Sequence, residues 1–249
     1  MVFQKVGIIG LGLIGGSIAK ALKRKGYYVA TLKSKSPDIA KAKETIDRVF
    51  PTLDALIAEI DLLILATPLS AILPIAREIK TDHPLLVIDV GSVKGAIVKE
   101  FSKLTKGSLE FLSTHPMAGT EKSGFDASDP HLFKEAPWII VPHKKNKAKI
   151  ADWIKLFGAK PIVMSADEHD KKVALISHLP ALISKTILDF IEKKDPESIK
   201  IAGPGFKSMT RLAKGNHELM DEIHAFNKIN IDHLWEEWIA FNNKKPIIV

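Results

Sequence analysis

The chain contains no cysteine among its 249 residues, which removes disulfides, thiolate metal sites and cysteine nucleophiles together. It starts without the basic, apolar and small-residue pattern of a secretory leader, and no uninterrupted apolar run is long enough to span a bilayer. A soluble, cytoplasmic protein with no membrane partner is expected. Arginine is scarce, confined to Arg24, Arg48, Arg77 and Arg211. The net charge of +7 therefore comes almost wholly from lysines scattered among acidic residues. Nucleic-acid surfaces more often cluster arginine with aromatics, so no nucleic-acid partner is expected, while a basic surface suits small anionic substrates by steering. There is no internal repeat and no low-complexity tract. The apolar fraction of 46% supports a packed core, and the length allows a medium domain followed by a small helical one.

The stretch from Lys5 to Ser17 reads as a buried strand, a glycine turn and a helix. Gly10, Gly12 and Gly15 fit G-x-G-x-x-G: the first allows a tight turn, the second a close backbone approach to a pyrophosphate, the third close packing of helix on strand. Ile18, Ala19, Ala21 and Leu22 follow at helical spacing, and the helix start offers free N–H groups and a positive dipole end to phosphates. Dinucleotide binding through Gly10, Leu11, Gly12, Leu13, Ile14 and Gly15 is expected. The competing reading is a glycine-rich turn that binds nothing.

A second strand, Tyr28 to Leu32, ends where such folds choose their cofactor. An acidic residue there would bind the ribose 2′-hydroxyl of NAD, and none is present. Lys33, Ser34 and Lys35 stand there instead, a turn suited to a 2′-phosphate, so NADP is favoured and NAD is the alternative. The same lysines could also flank an ordinary strand–helix loop, because Ser36-Pro37-Asp38 is a helix start.

A helix near Leu53 to Ile60 precedes an apolar strand, Asp61 to Ala66, of the kind buried on both faces of a parallel sheet. It delivers Thr67 and Pro68 to the strand ends, where ligands bind. The strand from Leu85 to Val90 empties into Gly91-Ser92-Val93-Lys94-Gly95. Ser92 there is either the N-cap of a helix from Val93 to Leu104 or a site residue. The strand from Glu110 to Thr114 delivers His115 and a glycine-bearing turn containing Gly119, Thr120 and Glu121. A histidine at that address either faces a substrate or ties down its loop. Phe125 to Glu135 reads as an irregular flap. A strand from Trp138 to Pro142, a helix from Lys147 to Phe157 and a strand from Lys160 to Met164 complete the alternation.

From Ser165 the pattern is helical. Ser165-Ala166-Asp167-Glu168 is a capping box opening a helical run to about Glu192. Asp195-Pro196-Glu197 starts another helix, Gly203-Pro204-Gly205 forms a turn, and helical pattern resumes near Glu218. The expected fold is α/β: a Rossmann-type, mostly parallel sheet domain over residues 1–164, then a smaller all-helical substrate and dimerisation domain over 165–249. So small a helical unit commonly needs a partner to bury its apolar faces, and a homodimer is expected. His169 and His178, nine positions apart, fall on opposite faces of a straight helix and make a poor metal pair; no metal is expected. Pro180 should kink the helix beside His178 and turn that histidine toward a cleft. Arg211 is either a surface arginine or a bidentate grip on a carboxylate.

Taken together, the glycine turn, Asp89-Val90-Gly91-Ser92-Val93-Lys94-Gly95, the segment from His115 to Gly124, Ser177-His178-Leu179-Pro180 and the segment from Gly205 to Arg211 resemble the prephenate/arogenate dehydrogenase family of tyrosine biosynthesis. The resemblance covers nearly the whole chain. It implies oxidative decarboxylation of a cyclohexadienyl substrate: hydride leaves the carbon bearing the 4-hydroxyl, the ring carboxylate departs as CO2 and the ring becomes aromatic. It implies His115 as the base that takes the hydroxyl proton, Ser92 as its orienter, and Arg211 as the carboxylate grip, with His178, Glu121, Gly119 and Thr120 lining the substrate cleft. No role is assigned to Lys94.

Many relatives carry an acidic residue where Ser208 stands and a tryptophan near Met220, and Gly215-Asn216-His217-Glu218-Leu219 is closer to the arogenate-using, NADP-dependent branch. Three competing readings are an NAD-linked prephenate dehydrogenase, another two-domain dehydrogenase of the β-hydroxyacid type, and a dinucleotide-sensing protein without catalysis. The β-hydroxyacid type relies on a lysine in its helical domain, whereas His115 and Arg211 are the conspicuous groups here.

Overall fold

The structure is a computed structural model and describes residues 3–142 and 147–243. It divides into two compact units, Met1–Asp167 and Glu168–Val249.

The first unit is one eight-stranded sheet in the order β3-β2-β1-β4-β5-β6-β7-β8. The strands are β1 (Lys5–Ile9), β2 (Tyr28–Leu32), β3 (Arg48–Phe50), β4 (Leu62–Leu65), β5 (Leu85–Asp89), β6 (Leu109–Pro116), β7 (Pro137–Val141) and β8 (Lys160–Val163). Every pairing is parallel except β6 with β7, where Thr114 faces Ile140 and His115 faces Ile139. All four residues of β4 are fully buried, as an interior parallel strand covered on both faces requires. Chain order reverses between β1 and β4, and the crevice at their carboxyl ends is the place where open α/β sheets hold ligands. The expected α/β, mostly parallel architecture followed by helices is what the structure shows.

β3 has no counterpart among the strands expected from the sequence. It is a three-residue edge strand with Arg48 and Val49 exposed and only Phe50 buried, too short to give an alternating pattern. The helices of this unit are α1 (Leu13–Arg24), α2 (Asp38–Lys41), α3 (Leu53–Ile57), α4 (Leu69–Glu78), α5 (Gly95–Leu104) and α6 (Lys147–Lys155). The segment expected to be an irregular flap is instead packed down. Phe125 and Phe133 are buried, and a Cβ added at Gly16 of α1 would meet Phe125 at 2.8 Å. Phe133 joins Trp138, Trp153 and Phe157 in a ring cluster, with centroids 4.9 Å apart for Phe133 and Trp138.

The second unit contains α7 (Ala166–Val173), α8 (Leu179–Lys194), α9 (Pro204–Met209), α10 (His217–Phe226) and α11 (Lys228–Asn243), with no strand among the described residues. α9 begins inside the predicted Gly203-Pro204-Gly205 turn, because proline with its fixed φ is suited to a first helical position. Between α7 and α8 the backbone makes a π turn, Ala174–His178. This is the form the kink ahead of Pro180 takes, since the ring displaces the preceding turn and removes one donor. His169 on α7 and His178 at the end of the π turn are both buried.

The helical run Ala166–Lys194 is 29 residues long, and an 18-residue window within it has a mean hydropathy of 1.4, enough by length and composition alone to cross a membrane. No uninterrupted apolar run marks it in the sequence, because His178, Pro180 and Lys185 break the run without ending the helix. Leu175, Ile176 and Phe190 on this run are exposed, as are Ile229 and Phe241 on α11.

Candidate functional site

In the first unit the glycine turn is built by contacts that only glycine tolerates. Gly10 has φ of +96°, and a Cβ there would lie 2.3 Å from the Ala66 carbonyl oxygen at the end of β4. A Cβ at Gly15 would lie 1.9 Å from the Gly10 carbonyl oxygen, so α1 packs on β1 as the third glycine of the motif permits. Gly12 differs, since nothing lies within 4 Å of its Cβ position. Packing does not demand a glycine there, and the open space is where a pyrophosphate would approach. Gly12 is also the N-cap of α1 and supplies no side-chain cap, leaving the amides of Leu13 and Ile14 for a ligand. Leu11 turns its side chain into the core, so only its backbone can face the turn.

Across the crevice the Thr67 hydroxyl is buried without a hydrogen-bond partner among the described residues. Pro68 follows as the N-cap residue of α4. A cradle open at Gly12 and an orphaned hydroxyl at Thr67 fit a dinucleotide.

At the end of β2, Lys33, Ser34 and Lys35 are exposed. Lys33 and Ser34 line a groove of about 450 Å³ with Lys43 and Arg48, while Ile39 and Val49 form an apolar wall. Arg48 escaped sequence reasoning because its position depends on β3. The Arg48 guanidinium sits 4.5 Å from the centroid of the Phe50 ring.

Ser92 and His115 leave the carboxyl ends of the neighbouring strands β5 and β6, whose register pairs Asp89 with Ser113. Both are half-buried. α5 begins at Gly95 with Lys94 at its N-cap, so Ser92 does not cap it. The reason is that Val93 and Lys94 are drawn inward. Lys94 has no exposed surface, and its ammonium pairs with the Asp89 carboxylate and donates to the Thr114 carbonyl at 2.8 Å. Gly119, Thr120 and Glu121 lie on the exposed turn after β6.

In the second unit His178 lies on the wall of a cavity of about 450 Å³, shared with Leu182, Leu212, Ala213, Gly215 and Met220. Arg211 is exposed and immediately precedes Leu212 and Ala213 of that wall. Two residues outside the sequence reading hold this arrangement. Buried Ser184 of α8 donates to the Met209 carbonyl at 2.9 Å and accepts from the Ala213 amide at 3.0 Å, bracketing Arg211. Asn227, between α10 and α11, donates to the Asp170 carbonyl at 2.8 Å and to His178 Nδ1 at 3.3 Å. A buried serine on an apolar helix face and an asparagine between two helices are common enough to carry no signal by themselves. Among the described residues no cluster of side chains could hold a metal.

Burial pushes the His178 imidazole down to about 4, against the pull of the Asp170 carboxylate and with the help of neighbouring His169. It is therefore neutral near pH 7, with Nδ1 accepting from Asn227 and the proton left on Nε2. The unfolded chain takes up a proton here near pH 6.5 and the folded chain only near 4, so this contribution is complete above about 6.5 and is lost as pH falls toward 4. Urea unfolding of the helical unit should lose about 2 kcal/mol more between pH 7 and pH 5 than a His178→Gln variant does. An equal loss in both proteins would contradict a neutral buried His178.

The sheet order, the glycine cradle and the helical second unit define a Rossmann-type dinucleotide-binding protein. Residues 18–163 match the family model described as prephenate dehydrogenase, nucleotide-binding domain, and residues 165–246 match prephenate dehydrogenase, dimerization domain. The chain belongs to the prephenate dehydrogenase family.

It is 34% identical over 234 residues to a prephenate dehydrogenase of Lactococcus lactis subsp. cremoris, covering 90% of this chain and 65% of that one. It is 33% identical over 255 residues to a cyclohexadienyl dehydrogenase of Zymomonas mobilis, covering 96% and 86%. Among solved structures, a prephenate dehydrogenase from A. aeolicus in complex with hydroxyphenyl propionate and NAD+ superposes with a TM-score of 0.85 at 30% identity, covering 96% of this chain and 88% of that one. The chain thus spans just under two thirds of the L. lactis relative's length.

Proposed function

We propose that this protein catalyses the oxidative decarboxylation of arogenate, or of prephenate, with hydride transfer to NADP. The observation that carries the reading is the placement of His115 and Ser92 on adjacent strand ends, in the unit that holds the glycine cradle. His115 takes the proton of the substrate 4-hydroxyl as the carbonyl develops, work suited to an imidazole near neutral pH. Ser92 hydrogen-bonds the same hydroxyl and holds the ring in line. The bound nicotinamide supplies the hydride acceptor. As the ring carboxylate leaves as CO2, its electron pair enters the ring, and the phenolic oxygen takes the proton back from His115.

Arg211 offers a fork to a substrate carboxylate, and His178 offers a neutral N–H donor. Glu121, Gly119 and Thr120 complete the substrate contacts. Leu11, Leu13, Ile14 and the three glycines hold the pyrophosphate, with Thr67 and Pro68 bordering the nicotinamide half. The basic turn Lys33-Ser34-Lys35 supports NADP over NAD, and Lys43 and Arg48 add positive charge to the same groove. A second copy of the chain, in a cytoplasmic homodimer, would cover the exposed apolar residues of Ala166–Lys194 and α11, consistent with the dimerization family of that unit.

The test is a comparison of kcat/KM for arogenate and prephenate, each with NADP and NAD. The highest value is expected for arogenate with NADP. Lys33→Ala should lower the NADP-to-NAD ratio by about tenfold, one charge–phosphate contact. An unchanged ratio would remove Lys33 from the 2′-phosphate site.

A further inference from the structure

Lys94 is among the bulkiest fully buried side chains in the protein, and the chemistry assigned to His115 and Ser92 does not use it. Burying an ammonium and a carboxylate together costs solvation that an apolar pair would not, so packing alone does not explain the choice. The pair sits at one place, between the ends of β5 and β6. The Asp89 carboxylate receives the Lys94 ammonium, the Ser113 hydroxyl and, at 2.9 Å, the Gly91 amide. The Lys94 ammonium donates to the Thr114 carbonyl at 2.8 Å, and the Thr114 hydroxyl donates to the Asp89 carbonyl at 2.7 Å. Gly91 is one residue before Ser92, and Thr114 is one residue before His115. Because the Lys94 carbonyl also receives the Val98 amide at 2.9 Å, the start of α5 is tied into the same network.

We infer that Lys94 and Asp89 are positioning residues: a buried charged clamp that fixes the separation of Ser92 and His115 and so the alignment of the substrate hydroxyl with its base. This rests on the function proposed above. A misplacement of about 1 Å at such a pair costs about a hundredfold in rate, which a clamp across two strand ends prevents.

The D89N/K94M double variant tests it. It removes both charges at once and leaves no unpaired charge buried, while the asparagine Oδ1 can still accept from the Gly91 amide and its Nδ2 can donate to the Ser113 hydroxyl oxygen. The expected result is a Tm near wild type and an unchanged Kd for NADP. kcat should fall by about 30-fold or more with little change in KM. Binding of 4-hydroxyphenylpropionate to the NADP-loaded protein should weaken by about tenfold. Wild-type kcat and analogue affinity in the folded double variant would overturn the clamp.

Thr114→Val keeps the shape and removes only the tie to the Asp89 carbonyl. It should lower kcat by about threefold to tenfold at unchanged NADP affinity. An unchanged kcat there counts against the clamp even where the double variant does not fold. A wild-type protein that turns over neither substrate overturns the proposed function, and the clamp is then judged by analogue binding alone. A wild type that neither reacts nor binds the analogue overturns both.

Discussion

Replacing His115 by asparagine is expected to lower kcat by about 10²- to 10⁴-fold, the range a positioned general base contributes. Asparagine keeps a hydrogen-bonding side chain on β6 but has no basic nitrogen to take the hydroxyl proton. The fold should not notice, because His115 lies half-buried at the strand end while the aromatic cluster around Trp138 and the Lys94–Asp89 pair hold β6 against its neighbours. Cofactor affinity should likewise persist, since the glycine cradle sits at the ends of β1 and β4. Turnover in the variant equal to wild type would remove His115 from the chemistry.

Two alanine substitutions in one motif are expected to fail in different ways. Gly15→Ala places a Cβ 1.9 Å from the Gly10 carbonyl oxygen, which is backbone and cannot swing aside. α1 must then lift from β1, and stability should fall by about 3 kcal/mol along with cofactor binding. Gly12→Ala places its Cβ in open space, with nothing within 4 Å. Its Tm should match wild type, while NADP affinity drops by about tenfold or more because the methyl group occupies the approach of the pyrophosphate. Calorimetry and NADP titration on the two purified variants separate these outcomes. A Gly12→Ala protein that binds NADP like wild type would mean the pyrophosphate lies elsewhere.

Much of this was legible in the sequence because the signals were local. Apolar runs such as Leu62–Leu65, bounded by turn residues, gave the interior strands, and the three glycines stood in the strand–helix context that gives them meaning. The end of alternation after Lys160–Val163 marked where the sheet stops. What escaped depended on partners distant in sequence. β3 exists because Ala30, Thr31 and Leu32 of β2 offer an edge to Arg48, Val49 and Phe50. Ser92 was a plausible helix cap until Lys94 was drawn inward to Asp89, five residues back, and to Thr114, twenty residues on. Ser184 and Asn227 matter through bonds to residues 25 or more positions away. Pro180 signalled the kink that the π turn provides, while the burial of both His169 and His178 depends on how the helix is packed.

The proposed oxidation and decarboxylation of a cyclohexadienyl substrate can be read from its products. The direct measurement is to incubate the purified protein with NADP and arogenate, and separately with prephenate, and to count CO2 released against cofactor reduced. One CO2 is expected for each nicotinamide reduced, with tyrosine formed from arogenate or 4-hydroxyphenylpyruvate from prephenate. Tight NADP binding with no reduction on either substrate would contradict it, and would leave a dinucleotide-sensing protein without catalysis.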